Sequence, residues 1–288
     1  MVKRLTGERR VGHAGTLDPA ATGVLPVCLG QGTRVTEFLT EATKDYWAQI
    51  ELGVATDTYD ASGRVTQQGD HSGISWSQLE SALTPFRGLI QQTPPMYSAL
   101  KYHGKRLYEL ARAGIELERR SRPIKIHHLE LIDWQPPLAT IKVVCGKGTY
   151  IRSLAHDLGQ ALGCGANLKS LNRLRCGLFN IRDAVSVPQL EDAFRYGYWQ
   201  RFVYPIDTVL LHWTAMVISD ETGKVIRNGC PLVLENNEEN GRLKQCLPAA
   251  SSSENRCRVY TPDGCFLGVL RFNPEKEQWQ PEKVFHHF

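Results

Sequence analysis

LATIKVVCGKGTYIRSLAHDLGQALG, residues 138–163, sets how the rest of the chain is read. LATIKVVCGKGTYIR is rich in β-branched and apolar residues and reads as a strand. SLAHDLGQALG follows at once, with apolar residues at helical spacing, and reads as a helix. Upstream, PIKIHHLELIDW reads as a second strand, with Pro136-Pro137 between the two. RLYELARAG reads as a short helix ended by Gly114. ISWSQLESALTPFRGLI reads as a helix with Ser75 as N-cap, apolar positions Trp76, Leu79 and Leu83, and Pro85 closing it. ATKDYWAQIELGVATDT reads as a strand and SVPQLEDAFRYG as a helix. Strands and helices mix without strict β-α-β alternation. That order predicts an α+β fold, a mixed or antiparallel sheet with flanking helices.

After about Pro205 the texture changes. AMVISD, CRVYTPDG and CFLGVLRF are short strand-like runs separated by polar turns such as ENNEENGR and AASSSEN. This predicts a small all-β module, partly closed, with the larger domain covering residues 1–207 and the module 208–288. The chain has 288 residues, enough for such a pair. No apolar run approaches the roughly 18 residues of a membrane helix. MVKRLTGERR has no apolar h-region and does not read as a secretory signal.

Eight cysteines are spread over the chain with no C-x-x-C pair and no Cys/His cluster at zinc spacing. They read as reduced packing residues of a cytoplasmic protein with no metal. Charge is uneven. Residues 142–182 hold seven Lys/Arg against one acid, and residues 98–128 hold eight against three Glu. Residues 209–288 are close to neutral. Two basic stretches fit a polyanionic partner or a solvated surface.

GHAGTLDPAATGVLP, residues 12–26, carries one carboxylate, Asp18, among glycines and alanines. Pro19 drives Asp18 toward extended backbone, which presents its side chain from a turn. A carboxylate nucleophile needs a cation beside it, and Arg152 is the candidate. Tyr150 and Arg152 are two apart, so on a strand they share a face. KDYW, residues 44–47, sets Lys44 and Tyr46 in the same relation, and Tyr46 suits stacking on a flat base. PPMYSALKYHGKRLYELAR, residues 94–112, interleaves Lys101 and other basic residues with Tyr and His, as a nucleic-acid groove does.

GHAGTLDPAATGVLPVCLGQGTR, KDYWAQIELGVATDTYDASG, PPMYSALKYHGKRLYELAR and GTYIRSLAHDLGQALGCGANLKSLNRLRCGLF occur in that order. The set resembles the TruB family of tRNA pseudouridine synthases over residues 1 to about 207. The tail, with RNGCPL and VYTPDGCFLGVLRF, more loosely resembles that family's PUA-like RNA-binding domain.

The resemblance implies a fold, an activity and a set of roles. Asp18 falls on the catalytic aspartate, which attacks the flipped-out uridine. Arg152 matches the arginine that pairs with it. Tyr46 matches the tyrosine stacked on the target base, also a participant in proton removal. Tyr150 and Leu171 match residues lining the base pocket, and His13 matches a histidine that helps open the T loop. Lys44 and Lys101 are expected on the substrate side. The implied substrate is uridine-55 in the T loop of tRNA. The implied reaction only rearranges atoms and calls for no cofactor. The implied enzyme is a monomer with no membrane association and no obligatory protein partner. Phosphate contacts would position the RNA, and loop shape and splayed bases would specify it.

Two departures stand out. Family members carry a strand and a Lys-Pro-x-Gly-x-(Thr/Ser)-Ser segment ahead of the point where this chain starts, so the chain is expected to be N-terminally truncated. Asn167 stands where His is usual; because Asn also donates hydrogen bonds, little effect is expected. Three rival functions are a non-catalytic RNA binder of the same fold, a guide-RNA-directed synthase with protein partners, and a magnesium-dependent phosphoryl-transfer enzyme using Asp57 and Asp60 of TDTYD.

Overall fold

The computed structural model describes residues 1–233 and 255–286. By packing, the chain divides into two compact units: His13–Val27 with Leu39–Ser186, and Met1–Gly12 with Cys28–Phe38 and Val187–Phe288.

The first unit is built on seven strands: β1 (Thr22–Gly23), β2 (Lys44–Leu52), β3 (Gly88–Gln92), β4 (Arg122–Gln135), β5 (Leu138–Cys145), β6 (Ala166–Cys176) and β7 (Phe179–Asn180). Six lie antiparallel in the order β7-β6-β2-β5-β4-β3, and β1 pairs parallel with β6, so the sheet is mixed as expected. In β2, Lys44, Tyr46, Ala48, Ile50 and Leu52 are buried and the residues between them are not. Period two is the strand rule, and it puts Lys44 and Tyr46 on one face.

Three helices accompany the sheet: α1 (Trp76–Leu83), α2 (Leu107–Arg112) and α3 (Ile151–Ala161). Ser75 caps α1 in a reciprocal capping box with Gln78. Pro85 closes the helix as expected, and the GLI at the end of that stretch opens the edge strand β3, where Gly88 turns at φ +84°. Helix α3 buries Leu154, Ala155 and Leu158 completely, and each leucine contributes roughly 1.5–3 kcal/mol. Gly159 lets α3 approach β6. A Cβ there would stand 2.1 Å from the Ala166 nitrogen, so no larger residue fits.

Asp157, on α3, has a carboxyl that burial pushes up to about 6. Its folded value exceeds the unfolded one, so it opposes folding once ionised. Stability falls as pH rises from about 4 through about 6 and then levels. Asp157→Asn is therefore expected to raise stability above pH 6 by on the order of 1 kcal/mol, solvent at the partly exposed carboxyl screening the rest. Thermal melts should show the gain shrinking as pH falls below 6 and vanishing near pH 3; a gain independent of pH would refute this cause.

The strand of the longest consequence, β6, was not legible in the sequence. Register shifts between Leu168 and Ser170 and between Arg173 and Arg175 break its alternation. It also buries an arginine where a hydrophobic residue is expected.

The second unit holds a five-stranded sheet: β8 (Thr214–Val217), β9 (Leu232–Val233), β10 (Arg256–Tyr260), β11 (Phe266–Asn273) and β12 (Gln278–Val284), in the order β8-β10-β11-β12-β9. The three strand-like runs of the sequence are β8, β10 and β11. Strand β12 escaped notice because Pro281 interrupts its pattern at a register shift. The module also carries a helix, Asp220–Arg227, capped by Ser219, which the all-β expectation omitted. ENNEENGR, Cys246 and all but Asn255 of AASSSEN lie outside the described residues.

Packing also divides the chain elsewhere than after residue 207. Val35 and Phe38 pack with Leu210, Trp213, Phe266, Val269 and Phe285, so residues 28–38 group with the C-terminal sheet. Among the described residues Cys28, Cys145, Cys164, Cys176 and Cys257 are buried free thiols. No helix among them is long and apolar enough to cross a membrane.

Candidate active site

Asp18 sits at a turn closed by a hydrogen bond from the Ala21 nitrogen to its carbonyl, 2.9 Å. Its carboxylate faces the Arg152 guanidinium. Nε donates to Oδ2 at 2.8 Å and Nη2 to Oδ1 at 2.9 Å, a two-pronged fork. The arginine side chain is 6% exposed and that of the aspartate 36%. The pair is therefore closed on the arginine side and open on the carboxylate side.

Arg152 does not lie on a strand. Helix α3 begins at Ile151 with Tyr150 as N-cap, so Tyr150 and Arg152 do not share a strand face. The helix starts two residues earlier than its sequence pattern because Gln92 holds the entry. Its side chain accepts from the Tyr150 nitrogen at 2.8 Å and donates to the Tyr150 carbonyl at 3.0 Å. The remaining Arg152 donors go to the Thr58 carbonyl (3.2 Å) and the Tyr97 carbonyl (2.9 Å), and Nη1 lies 3.6 Å from Asp60 Oδ2. Three loops thus converge on one guanidinium. Burying it is tolerable because every prong has an acceptor.

The turn bearing Asp18 is held from behind by Arg173, which is 1% exposed. It donates to the Val24 carbonyl (2.7 Å) and the Gly15 carbonyl (2.8 Å), on either side of Asp18. Its guanidinium also hydrogen-bonds the Tyr46 hydroxyl, and the two residues are register partners on β6 and β2. Gly23 is required where the turn meets β6. Its φ is +104°, and a Cβ would stand 2.2 Å from the Arg173 carbonyl oxygen.

Tyr46 is buried, and burial pushes its hydroxyl up to about 12. Leu171 is buried in the same apolar cluster as Tyr46. Tyr150 is half-buried, and burial raises its phenol. His13 is exposed. Lys101 is exposed on a hairpin with Tyr102, Lys105 and Arg106. Lys44 differs from expectation. It is buried, and its ammonium donates to the Thr40 and Ala42 carbonyls at 2.5 and 2.6 Å. Burial lowers its pKa. With those carbonyls as its acceptors, Lys44 ties the entry to β2.

The basic stretches differ likewise. In residues 142–182, Arg152 and Arg173 are buried, while Lys147, Lys169 and Arg175 pair with Glu41, Glu51 and Asp45. In residues 98–128, Lys101, Lys105, Arg106, Arg120 and Arg122 are exposed. Lys147, Lys169 and Arg182 are nevertheless exposed, so both stretches offer phosphate cations at the surface, the second more of them. Asp60 is taken up by Thr58, Ser62 and Arg152, and Asp57 by Arg64. Among the described residues no group of three or more His, Cys, Asp or Glu is placed to hold a metal ion. Asn167 is buried and donates to the Val54 carbonyl at 2.9 Å. Gln92 and Arg173 were missed in the sequence, since nothing local distinguishes them from solvated polar residues, and Asp60, read there as a candidate magnesium ligand, faces Arg152 instead.

The site is a mixed sheet with an arginine-forked aspartate on an open turn that Arg173 ties to the strand pair carrying the buried Tyr46. The sequence model described as TruB family pseudouridylate synthase (N terminal domain) matches residues 3–151. The tRNA pseudouridylate synthase B C-terminal domain model matches residues 152–211. A tRNA pseudouridine synthase B of Dehalococcoides mccartyi is 40% identical over 99% of this chain and 90% of the relative. One from Syntrophomonas wolfei is 41% identical over 98% and 91%. Among solved structures, the chain is similar to one in a Cbf5-Nop10-Gar1 complex, with TM-score 0.72, 24% identity, and coverage of 99% of this chain and 79% of that one. That likeness concerns the fold. The chain belongs to the TruB family of pseudouridylate synthases.

Proposed function

We propose that this chain isomerises uridine-55 in the T loop of tRNA to pseudouridine, with Asp18 as the nucleophile. The observation that carries the proposal is the Asp18–Arg152 fork, open on the carboxylate side. The relatives described above are tRNA pseudouridine synthases, which supports tRNA as the substrate. In the reaction the N1–C1′ bond breaks, the base turns, and a C5–C1′ bond forms. The C5 hydrogen leaves as a proton and the freed N1 takes one up, so atoms balance without a co-reactant. Asp18 attacks either the base or the ribose; both routes use the same open carboxylate face. Arg152 fixes the carboxylate plane, Arg173 fixes the turn, and Tyr46 offers its ring to the base. Tyr150 and Leu171 line the pocket. His13 acts on the opened T loop, and Lys101 with its exposed neighbours contacts phosphate. The chain acts in the cytoplasm as a monomer, without a protein partner or cofactor.

Tritium release from tRNA carrying 5-³H-uridine tests the proposal. Release from the wild-type chain, absent with cytidine at position 55, is expected. No release from a folded chain would sink it.

Tyr46 has a defined protonation state in this scheme. With its hydroxyl at about 12, roughly one molecule in a thousand is phenolate at pH 9. It therefore serves as a neutral phenol. The rate is expected to show no Tyr46 ionisation between pH 7 and 10, as judged by comparing wild type with Tyr46→Phe. A wild-type inflection in that range that Tyr46→Phe removes would make it a resting base instead.

A further inference from the structure

Tyr59 is one of three non-glycine residues described with positive φ, at +65°. Its conformation belongs to the left-handed region, where glycine is unstrained and a tyrosine is not. Its ring lies flat on the imidazole of His156, with centroids 3.8 Å apart and planes 12° from parallel. His156 is on α3, one turn beyond Arg152. Tyr59 also stands between the two groups of its loop that meet Arg152, the Thr58 carbonyl and the Asp60 carboxylate.

We infer that the Tyr59–His156 stack is a clamp that positions Arg152 against Asp18. The turn is tied on its other side, because the Leu168 nitrogen donates to the Tyr59 carbonyl at 2.9 Å. Asp60 Oδ1 gathers Thr58 Oγ1, the Ser62 nitrogen and Ser62 Oγ, which fixes the carboxylate that faces Arg152. The stack adds a second contact between this turn and the helix that carries the guanidinium, beside the bonds that Arg152 itself makes to Thr58 and Asp60. Neither ring touches Asp18 or the proposed base pocket residues by any contact described, so both are positioning residues. The inference rests on the proposed isomerisation and concerns its chemical step.

The test separates backbone from ring. Tyr59→Gly removes the strain and the stack together, so a purely backbone role predicts an unchanged or steadier enzyme. A positioning role predicts a slower single-turnover rate, by roughly 10- to 100-fold, with tRNA affinity within about twofold. His156→Ala is expected to do the same, and the double variant to be no slower than either single one. Tyr59→Phe keeps the ring face and should restore most of the rate. Melting curves identify any variant that fails to fold, and His156→Asn then replaces His156→Ala. Wild-type rates in Tyr59→Gly and the folded His156 variant, a loss confined to affinity, or additive losses would overturn the clamp. A wild-type chain that releases no tritium would instead overturn the isomerisation. In that event hydrogen exchange at the Leu168 amide still decides the clamp: faster exchange in Tyr59→Gly supports it, and unchanged exchange refutes it.

Discussion

Asp18→Asn is expected to abolish tritium release, by on the order of 10⁴-fold or more, while tRNA binding stays within a few-fold. The substitution keeps the shape of the side chain and removes only its nucleophilic charge. One amide oxygen still accepts from Arg152, but the amide NH₂ now faces a guanidinium donor, so the fork of two bonds at 2.8 and 2.9 Å is broken. That loss costs stability by about 1–3 kcal/mol, visible as a lower melting temperature but not as unfolding. In the proposed function, affinity for tRNA rests chiefly on phosphate contacts by exposed cations such as Lys101 and Lys105, which the substitution leaves alone. Filter binding and tritium release on one preparation check both halves. Wild-type turnover by Asp18→Asn would remove the nucleophile assigned here, and a binder that loses affinity along with turnover would point to a structural role for the turn.

Arg152→Lys carries the second large effect. Charge is conserved, but a lysine ammonium cannot reproduce the fork or reach the Thr58 and Tyr97 carbonyls at the same time. The expected fall in single-turnover rate is roughly 10²- to 10³-fold, because the carboxylate loses its fixed plane. Arg152→Ala should go further and destabilise the fold by about 3 kcal/mol, since it takes the guanidinium from the Asp18 carboxylate and from the Thr58 and Tyr97 carbonyls and leaves Asp60 without its cation. Chemical denaturation distinguishes the two variants: Lys is expected to melt closer to wild type than Ala. A lysine variant with near-native rate would show that charge alone suffices and that the bidentate geometry is incidental.

The two substitutions test different parts of one arrangement. Asp18 is presented by a short turn with an Asp-Pro pair, and a turn is readable from a dozen neighbouring residues. Arg152 gains its meaning from partners at positions 18, 58, 60 and 97. The sequence showed a candidate cation but assigned it to a strand. The helix begins earlier because Gln92, distant along the chain, takes both backbone groups of Tyr150. No local pattern records that contact.

Much of the first unit was legible for the same local reasons. The alternation of KDYWAQIEL is that of a strand with one buried face, and the Ser75–Gln78 pair is a helix start written in four residues. Residues 166–176 were not legible, because two register shifts scramble their alternation and Arg173 occupies an interior position. A buried arginine looks polar to any reading by pattern; only the carbonyls of Gly15 and Val24 make its burial tolerable. The basic stretch 142–182 misled in part, since Arg152 and Arg173 are held inside and Lys147, Lys169 and Arg175 pair with neighbouring acids. In the second unit, Pro281 hid a strand, and the polar sequence of Asp220–Arg227 hid a helix of which only Gly223 and Ile226 are buried.

By itself, then, the sequence determined the fold class and the family and singled out Asp18 as the candidate nucleophile, because each depends on residue types at short spacing or on motifs in fixed order. The tertiary structure alone decided which cations face the carboxylate, which face solvent and which are held inside, because charge is neutralised by whatever the fold brings within about 4 Å. It also decided where packing divides the chain, and it set a strained tyrosine against a histidine nearly a hundred positions away.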